Sequence, residues 1–289
     1  VPHGNPAKDG VMAVQMSSLV MSALDELRVH PVDKWIRATS GGETVVSSTR
    51  ALIVWEPRRV VPMYAVPVTD VSARLEPAGG IRDVERPVQL GAAGPPVLDP
   101  RTPFSVHSCP GRAMTIRTAT GELDGAAFAP DDPALEGYLV LDWAAFDQWR
   151  EEDEVVIGHP HDPFDRIDAL RSSRHVVVSA DGVVLAESTR PTLLFETPLT
   201  TRYYLPREDV SWDLLVPSES HTVCAYKGVA SYWTARLPGR DLPDIAWTYE
   251  EPLSDARDVA GLVAFLTERL DLVIDGTPVE RPVTPWSGS

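Results

Sequence analysis

Lysine is nearly absent from this chain. Lys8, Lys34 and Lys227 are the three in 289 residues, and arginine fills the other basic positions apart from histidine. Two lie near the N-terminus, where solvation accounts for them. Cysteine is rarer still. Cys109 and Cys224 exclude a disulfide framework and read as reduced thiols of a cytoplasmic protein. Positive charge is nowhere clustered, and the formal net charge is −16. That excludes nucleic acid as a partner, because binding a polyanion draws on grouped Lys and Arg. The acidic excess reads instead as a device for solubility. Long apolar runs are also missing. Gly261–Leu266 is among the longest, far below the roughly 18 residues of a membrane span. Val1–Gly10 has neither the charged start nor the apolar core of a secretory signal.

What is present is enough apolar residue, 43%, for ordinary globular cores in about two domains. Residues 1–31 read as a flexible leader followed by a helix. In that helix Met16, Leu19, Val20, Ala23, Leu24 and Leu27 recur at helical spacing over Gln15–Leu27, and Pro31 ends it.

An internal repeat then decides the architecture. Gly42, Ser48, Thr49, Arg50 and Glu56 match Gly182, Ser188, Thr189, Arg190 and Glu196 at a constant offset of 140 (182 minus 42). The same register continues to Tyr64/Tyr204 and Pro77/Pro217. The chain therefore reads as two tandem related domains, 32–157 and 158–289, mainly β with a few helices (α+β). Asp181-Gly182 between β-branched runs marks a hairpin of His175–Ser179 with Val183–Glu187. Leu193–Glu196, Arg202–Leu205 and Val229–Leu237 read as further strands. One helix is expected to close each copy, Leu135–Trp149 in the first and Ser254–Leu270 in the second. In the latter Val259, Leu262, Val263, Leu266 and Leu270 form a stripe behind a Ser254 N-cap.

The copies differ in content. The first carries a Pro/Gly-rich insertion at 78–105, expected as a surface loop. Where the second has Cys224-Ala-Tyr-Lys-Gly, the first has Cys109-Pro-Gly-Arg, without the tyrosine and the lysine. Phe128 stands where the second copy has Trp247. The first copy is thus expected to be a degenerate scaffold, and the second to hold the working site.

Several stretches carry a family resemblance. They are His159-Pro-His-Asp-Pro163, Ser172-Ser-Arg-His175, Ser188-x-Arg-Pro191, Leu194-Phe-Glu-Thr197 and Arg202-Tyr-Tyr-Leu-Pro206. Further on come Cys224-x-Tyr-Lys-Gly-x-Ala-x-Tyr-Trp233, Trp247-x-Tyr249 and Ala260-Gly261. With these motifs the chain resembles the bacterial family catalogued as domain of unknown function 427, over nearly all of the second copy and more weakly over the first. The resemblance implies compact β-rich, β-tent-like domains. Relatives of that fold hold zinc through paired Cys-x-x-Cys motifs, which this chain lacks. The nucleotidyltransferase label attached to the family finds no Asp-x-Asp and no Gly-rich phosphate loop here.

Lys227 lies in the densest group of reactive and aromatic side chains, Ser218–Trp233. Unlike arginine, a lysine can lose its proton, and it also acts as a compact point charge. Beside Cys224 it would favour the thiolate; desolvated, it could attack a carbonyl. The plainer reading makes Cys224 a small buried hydrophobe and Lys227 the partner of an acid. Arg190 and Glu196 recur in both copies, so a buried Arg–Glu pair supporting the site is expected, with carboxylate binding by Arg190 as the alternative. Tyr203, Tyr204, Tyr232, Trp233 and Trp247 are the candidates for a ligand-holding wall, with Tyr226 beside Lys227 in the same pocket. Adjacent aromatics on a strand face opposite sides, so one of each pair belongs to the core. His159, His161 and Asp162, or His221 with Cys224, are weak metal sets, because zinc wants three or four converging ligands. No metal and no cofactor are expected. The run Glu151–Glu154 reads as a solvated face at the domain junction.

The expected function is a small-molecule-pocket protein. The favoured form is an enzyme on a small anionic or carbonyl-containing metabolite, with Lys227 and Cys224 as catalytic groups. The alternative is a non-catalytic ligand-recognition module with an aromatic pocket.

Overall fold

The computed structural model describes residues 22–79, 88–89, 96–197, 199–284 and 287. Most of the helix expected at Gln15–Leu27 lies outside these residues. Ser22–Leu27 runs as turn and bend into a strand at Arg28–Pro31.

Turn chemistry sets the hairpins. Asp181 and Gly182 both adopt positive φ, 51° and 79°, which matches the twist of the strands they join. Val176–Ala180 and Val183–Ser188 pair across them, and a bulge falls between Val178 and Ser179. In the first half Gly41 and Gly42 turn the same way between Ile36–Ser40 and Glu43–Ser48, with the bulge between Ala38 and Thr39. Asp275-Gly276 repeats the device between Asp271–Ile274 and Thr277–Val279. The other expected strands are present as Thr192–Glu196, Arg202–Leu205 and Gly228–Leu237.

Each half contains a seven-stranded antiparallel sheet. In the second half its order is Ile167–Arg171, Thr192–Glu196, Arg202–Leu205, Val263–Phe265, Arg240–Thr248, Gly228–Leu237, Leu215–Cys224. In the first half the order is Arg28–Pro31, Leu52–Trp55, Met63–Pro67, Tyr138–Leu141, Glu122–Pro130, Gly111–Arg117, Arg74–Pro77. A four-stranded sheet accompanies each: Glu43–Ser48, Ile36–Ser40, Gln148–Glu151 and Glu154–Val156 in one half, Val183–Ser188, Val176–Ala180, Asp271–Ile274 and Thr277–Val279 in the other. The strand orders correspond element by element.

The two closing helices are not formed. Leu135–Trp149 is divided into a 3₁₀ turn ending at Leu135, a strand Tyr138–Leu141, a second turn Trp143–Ala145 and a strand beginning at Gln148. Ser254–Val259 is a short 3₁₀ segment, interrupted at Ala256, and Val263–Phe265 is a central strand. Gly137 and Gly261, with φ of 77° and 66°, break any helix before these strands. Residues 139–141 and Val263–Phe265 are then buried inside sheets, and a fully buried strand has the same short apolar run as a helix face. Ser254 is not the N-cap; Leu253 occupies that position without a side-chain bond.

The insertion at 78–105 is only partly a surface loop, because Val97 and Leu98 are buried and Leu98 bonds to Arg58 and Val60 backbone. Residues 80–87 and 90–95 of it lie outside the described residues.

Both faces of the second half's large sheet are packed. One face meets the four-stranded sheet in a core that includes Val176, Leu185, Trp233, Ala235 and Phe265. The opposite face gathers Leu194, Tyr204, Trp247, Tyr249 and Ala264 under the 254–259 turn. Strand alternation thus separates Tyr203 from Tyr204 and Trp233 from Tyr232.

Candidate functional site

Lys227 ends a three-residue turn, Ala225-Tyr226-Lys227, between Leu215–Cys224 and Gly228–Leu237. Gly228 allows the turn to close, with φ of 98° and space for no more than a tight Cβ against Glu251 carbonyl at 3.4 Å. Leu253 N–H donates to the Lys227 carbonyl at 3.2 Å. The side chain of Lys227 is buried, and its Nζ donates to both oxygens of Glu196, at 2.6 and 2.5 Å. Burial works against this ammonium, but the Glu196 carboxylate and then the Cys224 side chain raise its pKa above the ordinary lysine value. Lys227 is therefore a cation at neutral pH, and the reading of it as a free-amine nucleophile is corrected by this pairing.

Around the pair stands the aromatic face. Trp247 Nε1 donates to Tyr204 Oη at 3.2 Å, and Tyr232 packs beside Trp247 with ring centroids 6.3 Å apart. Tyr232 also shares a 2.8 Å bond with Thr222. Burial pushes Tyr204, Tyr232 and Tyr249 upward, so all three stay neutral phenols. Trp233 is excluded from this group: it packs in the other core, edge-on to Trp212 at 5.4 Å.

Arg190 does not pair with Glu196. Its guanidinium, 58% exposed, reaches Glu208 at 2.8 Å and Asp209 at 3.3 Å. The expected Arg190–Glu196 pair is not formed: Arg190 lies in the bend after Val183–Ser188 and faces Glu208 and Asp209, whereas Glu196 ends the strand Thr192–Glu196 and faces Lys227. A buried Arg–Glu pair does exist nearby: Arg202 holds Glu268 through two bonds of 2.7 Å, 5.5 Å from the Trp247 ring.

The segment joining the halves supplies groups that the sequence reading weighed only as metal ligands or passed over. Asp165 is pushed up to about 6 by burial and then by Glu196, with Lys227 working the other way. Its Oδ1 is buried and has no hydrogen-bond partner among the described residues. His159 is lowered by burial and bonds to its neighbouring Pro160 carbonyl at 2.8 Å. Tyr226 Oη accepts from Asp162 N–H at 2.8 Å, and its ring stacks on His161. Among the described residues, no group of three or more His, Cys, Asp and Glu could hold a metal ion. His221 points to the Ala230 carbonyl at 3.3 Å instead.

Glu151 is also corrected. It was read as part of a solvated face, yet it is 8% exposed and bound by Lys34 and Tyr64. Burial would raise its pKa, but bonds from His161, Lys34 and Tyr64 hold it down at about 2. A four-acid run gave no hint that its first member turns inward along a strand; only the alternation of Gln148–Glu151 carries that signal.

The first half keeps half of the arrangement. Glu56 is fully buried, accepts from Ser108 N–H at 2.7 Å and lies 3.8 Å from Cys109 Sγ. Its partners are the His107 ring, 3.0 Å away and stacked on Phe128, and the Arg59 guanidinium at 3.9 Å. Burial and Glu56 push the Cys109 thiol up to about 12. Glu56 with Cys109 mirrors Glu196 with Cys224, and the lysine has no counterpart.

The fold and the site define a mainly β domain with a buried lysine–glutamate pair at a hairpin turn. Residues 168–276 match the family described as a domain of unknown function (DUF427). The matched span contains Glu196, Cys224 and Lys227, and begins after His159, His161 and Asp165. No curated protein matches the chain.

Proposed function

We propose that the chain is a tandem of two β-tent-like domains whose second copy is an enzyme acting on a small carbonyl-containing metabolite by proton transfer. The unpartnered, buried Oδ1 of Asp165 beside the Lys227–Glu196 pair carries this reading. A carboxyl that titrates near 6 is close to working pH, so it can both take and return a proton. Lys227, fixed as an ammonium, supplies the positive charge that a developing enolate oxygen needs. Asp165 removes a proton from the carbon next to the carbonyl, the oxygen gains charge against Lys227, and the proton is returned from Asp165. Cys224, adjoining Lys227, is the site's thiol nucleophile in this reading. Tyr204, Tyr226, Tyr232 and Trp247 shape the ligand's surroundings. Among the described residues no helix is long and apolar enough to cross a membrane.

A binding module remains the second reading, favoured by the Glu196 carboxylate that already neutralises Lys227. Proton NMR in D₂O separates the two. A panel of 2-oxo acids, aldehydes and ketones is incubated with the full chain and with Asp165→Asn. An enzyme exchanges the α-hydrogens of at least one compound, and the variant loses about a hundredfold or more of that rate. Ligand-induced shifts without exchange above buffer would support the binder and sink the enzyme.

A further inference from the structure

His161 bridges the two halves through both ring nitrogens. Nε2 is 2.9 Å from the Ala225 carbonyl in the second half, and Nδ1 is 3.4 Å from Glu151 Oε2 in the first. A carbonyl and a carboxylate can only accept: Nε2 donates to the first, and with Nδ1 at ion-pair distance from the second the imidazolium is the form that suits both partners. Its ring stacks on Tyr226, centroids 5.3 Å apart, and Tyr226 is tied back to the same segment through Asp162. The backbone approaches so closely here that a Cβ on Gly158 would lie 3.1 Å from Ala225 N. Behind Glu151 stand Lys34 and the Tyr64 hydroxyl, both from the first half.

We infer that His161, held as an imidazolium between Glu151 and the Ala225 carbonyl, is a positioning residue for the turn that presents Cys224 and Lys227. The first half thereby completes the second half's site instead of standing by as a degenerate copy. The functional weight of this rests on that turn being the working site; the clamp itself does not.

The charged and titratable groups facing His161 set its response. Glu151 favours the cation most, Lys34 opposes it, Tyr226 lies against the ring, Tyr64 reaches it through Glu151, and His159 and Asp162 adjoin it on its own segment. Its pKa is raised chiefly by the Glu151 bond, with burial opposing. A raised histidine stabilises at low pH and loses that contribution as pH rises through the folded value. Above it, one nitrogen turns a lone pair toward an acceptor and the turn is released from one side.

The test uses the full chain and needs no substrate. Imidazole nitrogen NMR gives the His161 midpoint, and hydrogen exchange, corrected for intrinsic pH dependence, gives protection of the Tyr226–Gly228 amides. His161 is expected to titrate above about 6.5, and turn protection to fall about tenfold across that midpoint. Glu151→Gln is expected to lower the midpoint and to cost about tenfold in protection at pH 7. His161→Gln should flatten the pH profile; if it does not fold, the wild-type titration and Glu151→Gln still decide. A His161 midpoint at or below about 6.5, or equal turn protection in Glu151→Gln and wild type, would overturn the inference. Neither readout depends on turnover, so the clamp can hold even if no carbonyl compound is exchanged.

Discussion

Ser188 Oγ donates to Asp209 at 2.7 Å, and Ser48 makes the same bond to Asp70 at 2.7 Å in the first half. In each case the serine oxygen also accepts the backbone N–H of the arginine two residues on, at 3.1 Å. That arginine then reaches the same aspartate with its guanidinium. The Ser-x-Arg motif recurs because it ties a strand end to a 3₁₀ turn in both halves, which gives it a structural role.

Removing either hydroxyl should therefore destabilise without touching the site. Ser188→Ala and Ser48→Ala are each expected to cost about 1–3 kcal/mol, the range for a lost bond to a charged group. Urea denaturation measures this. A change within about 0.5 kcal/mol, the level of an ordinary surface substitution, would mean the clasp is ornamental.

The Lys227–Glu196 pair is tested by breaking one side of it. Lys227→Met leaves Glu196 buried without its cation and should cost about 3–5 kcal/mol. Adding Glu196→Gln should recover much of the loss, because no uncompensated charge then remains. A double variant as unstable as the single would place the stabilisation in packing, not in charge.

The two thiols should differ in reactivity. At pH 8 a thiol at about 12 is ionised in roughly one molecule in ten thousand, so Cys109 is nearly inert. Cys224 adjoins the Lys227 ammonium. Iodoacetamide labelling read by mass spectrometry should modify Cys224 at least tenfold faster. Equal rates would remove the case for Cys224 as a nucleophile.

Stability should also carry the mark of Asp165. Its folded value of about 6 lies above the ordinary aspartate value of about 3.9, so the folded state holds the proton more tightly. Its contribution is complete below about 3.9 and is lost as pH rises toward 6. Asp165→Asn should remove that slope and leave the protein at least as stable as wild type at pH 7. Denaturation midpoints at pH 4.5 and 7 give the answer; an unchanged slope would contradict the assignment.

Much of the β framework was legible from Asp-Gly turns and the 140-residue register (182 minus 42), since both act locally. The helices were misread because residues 139–141 and Val263–Phe265 are buried on both faces, which erases the strand's period-two signal. Lys227 could be singled out by rarity, yet its partner could not: Glu196 lies 31 residues away on another strand. Arg190, six residues from Glu196, looked the nearer cation and instead faces Asp209. His161, Asp165 and Glu151 escaped for a different reason. The roles of His161 and Asp165 come from the irregular segment joining the halves, where no periodicity points, and Glu151 sits on a strand whose short alternation is masked by the acidic run.

The first measurement to make is a carbon-13 NMR titration of the Asp165 carboxyl in the full chain. The expected midpoint is about 6, moving down in Glu196→Gln as one neighbouring negative charge is removed. A midpoint near 3.9, unchanged by that substitution, would mean an ordinary solvated carboxylate and would contradict Asp165 as the proton carrier.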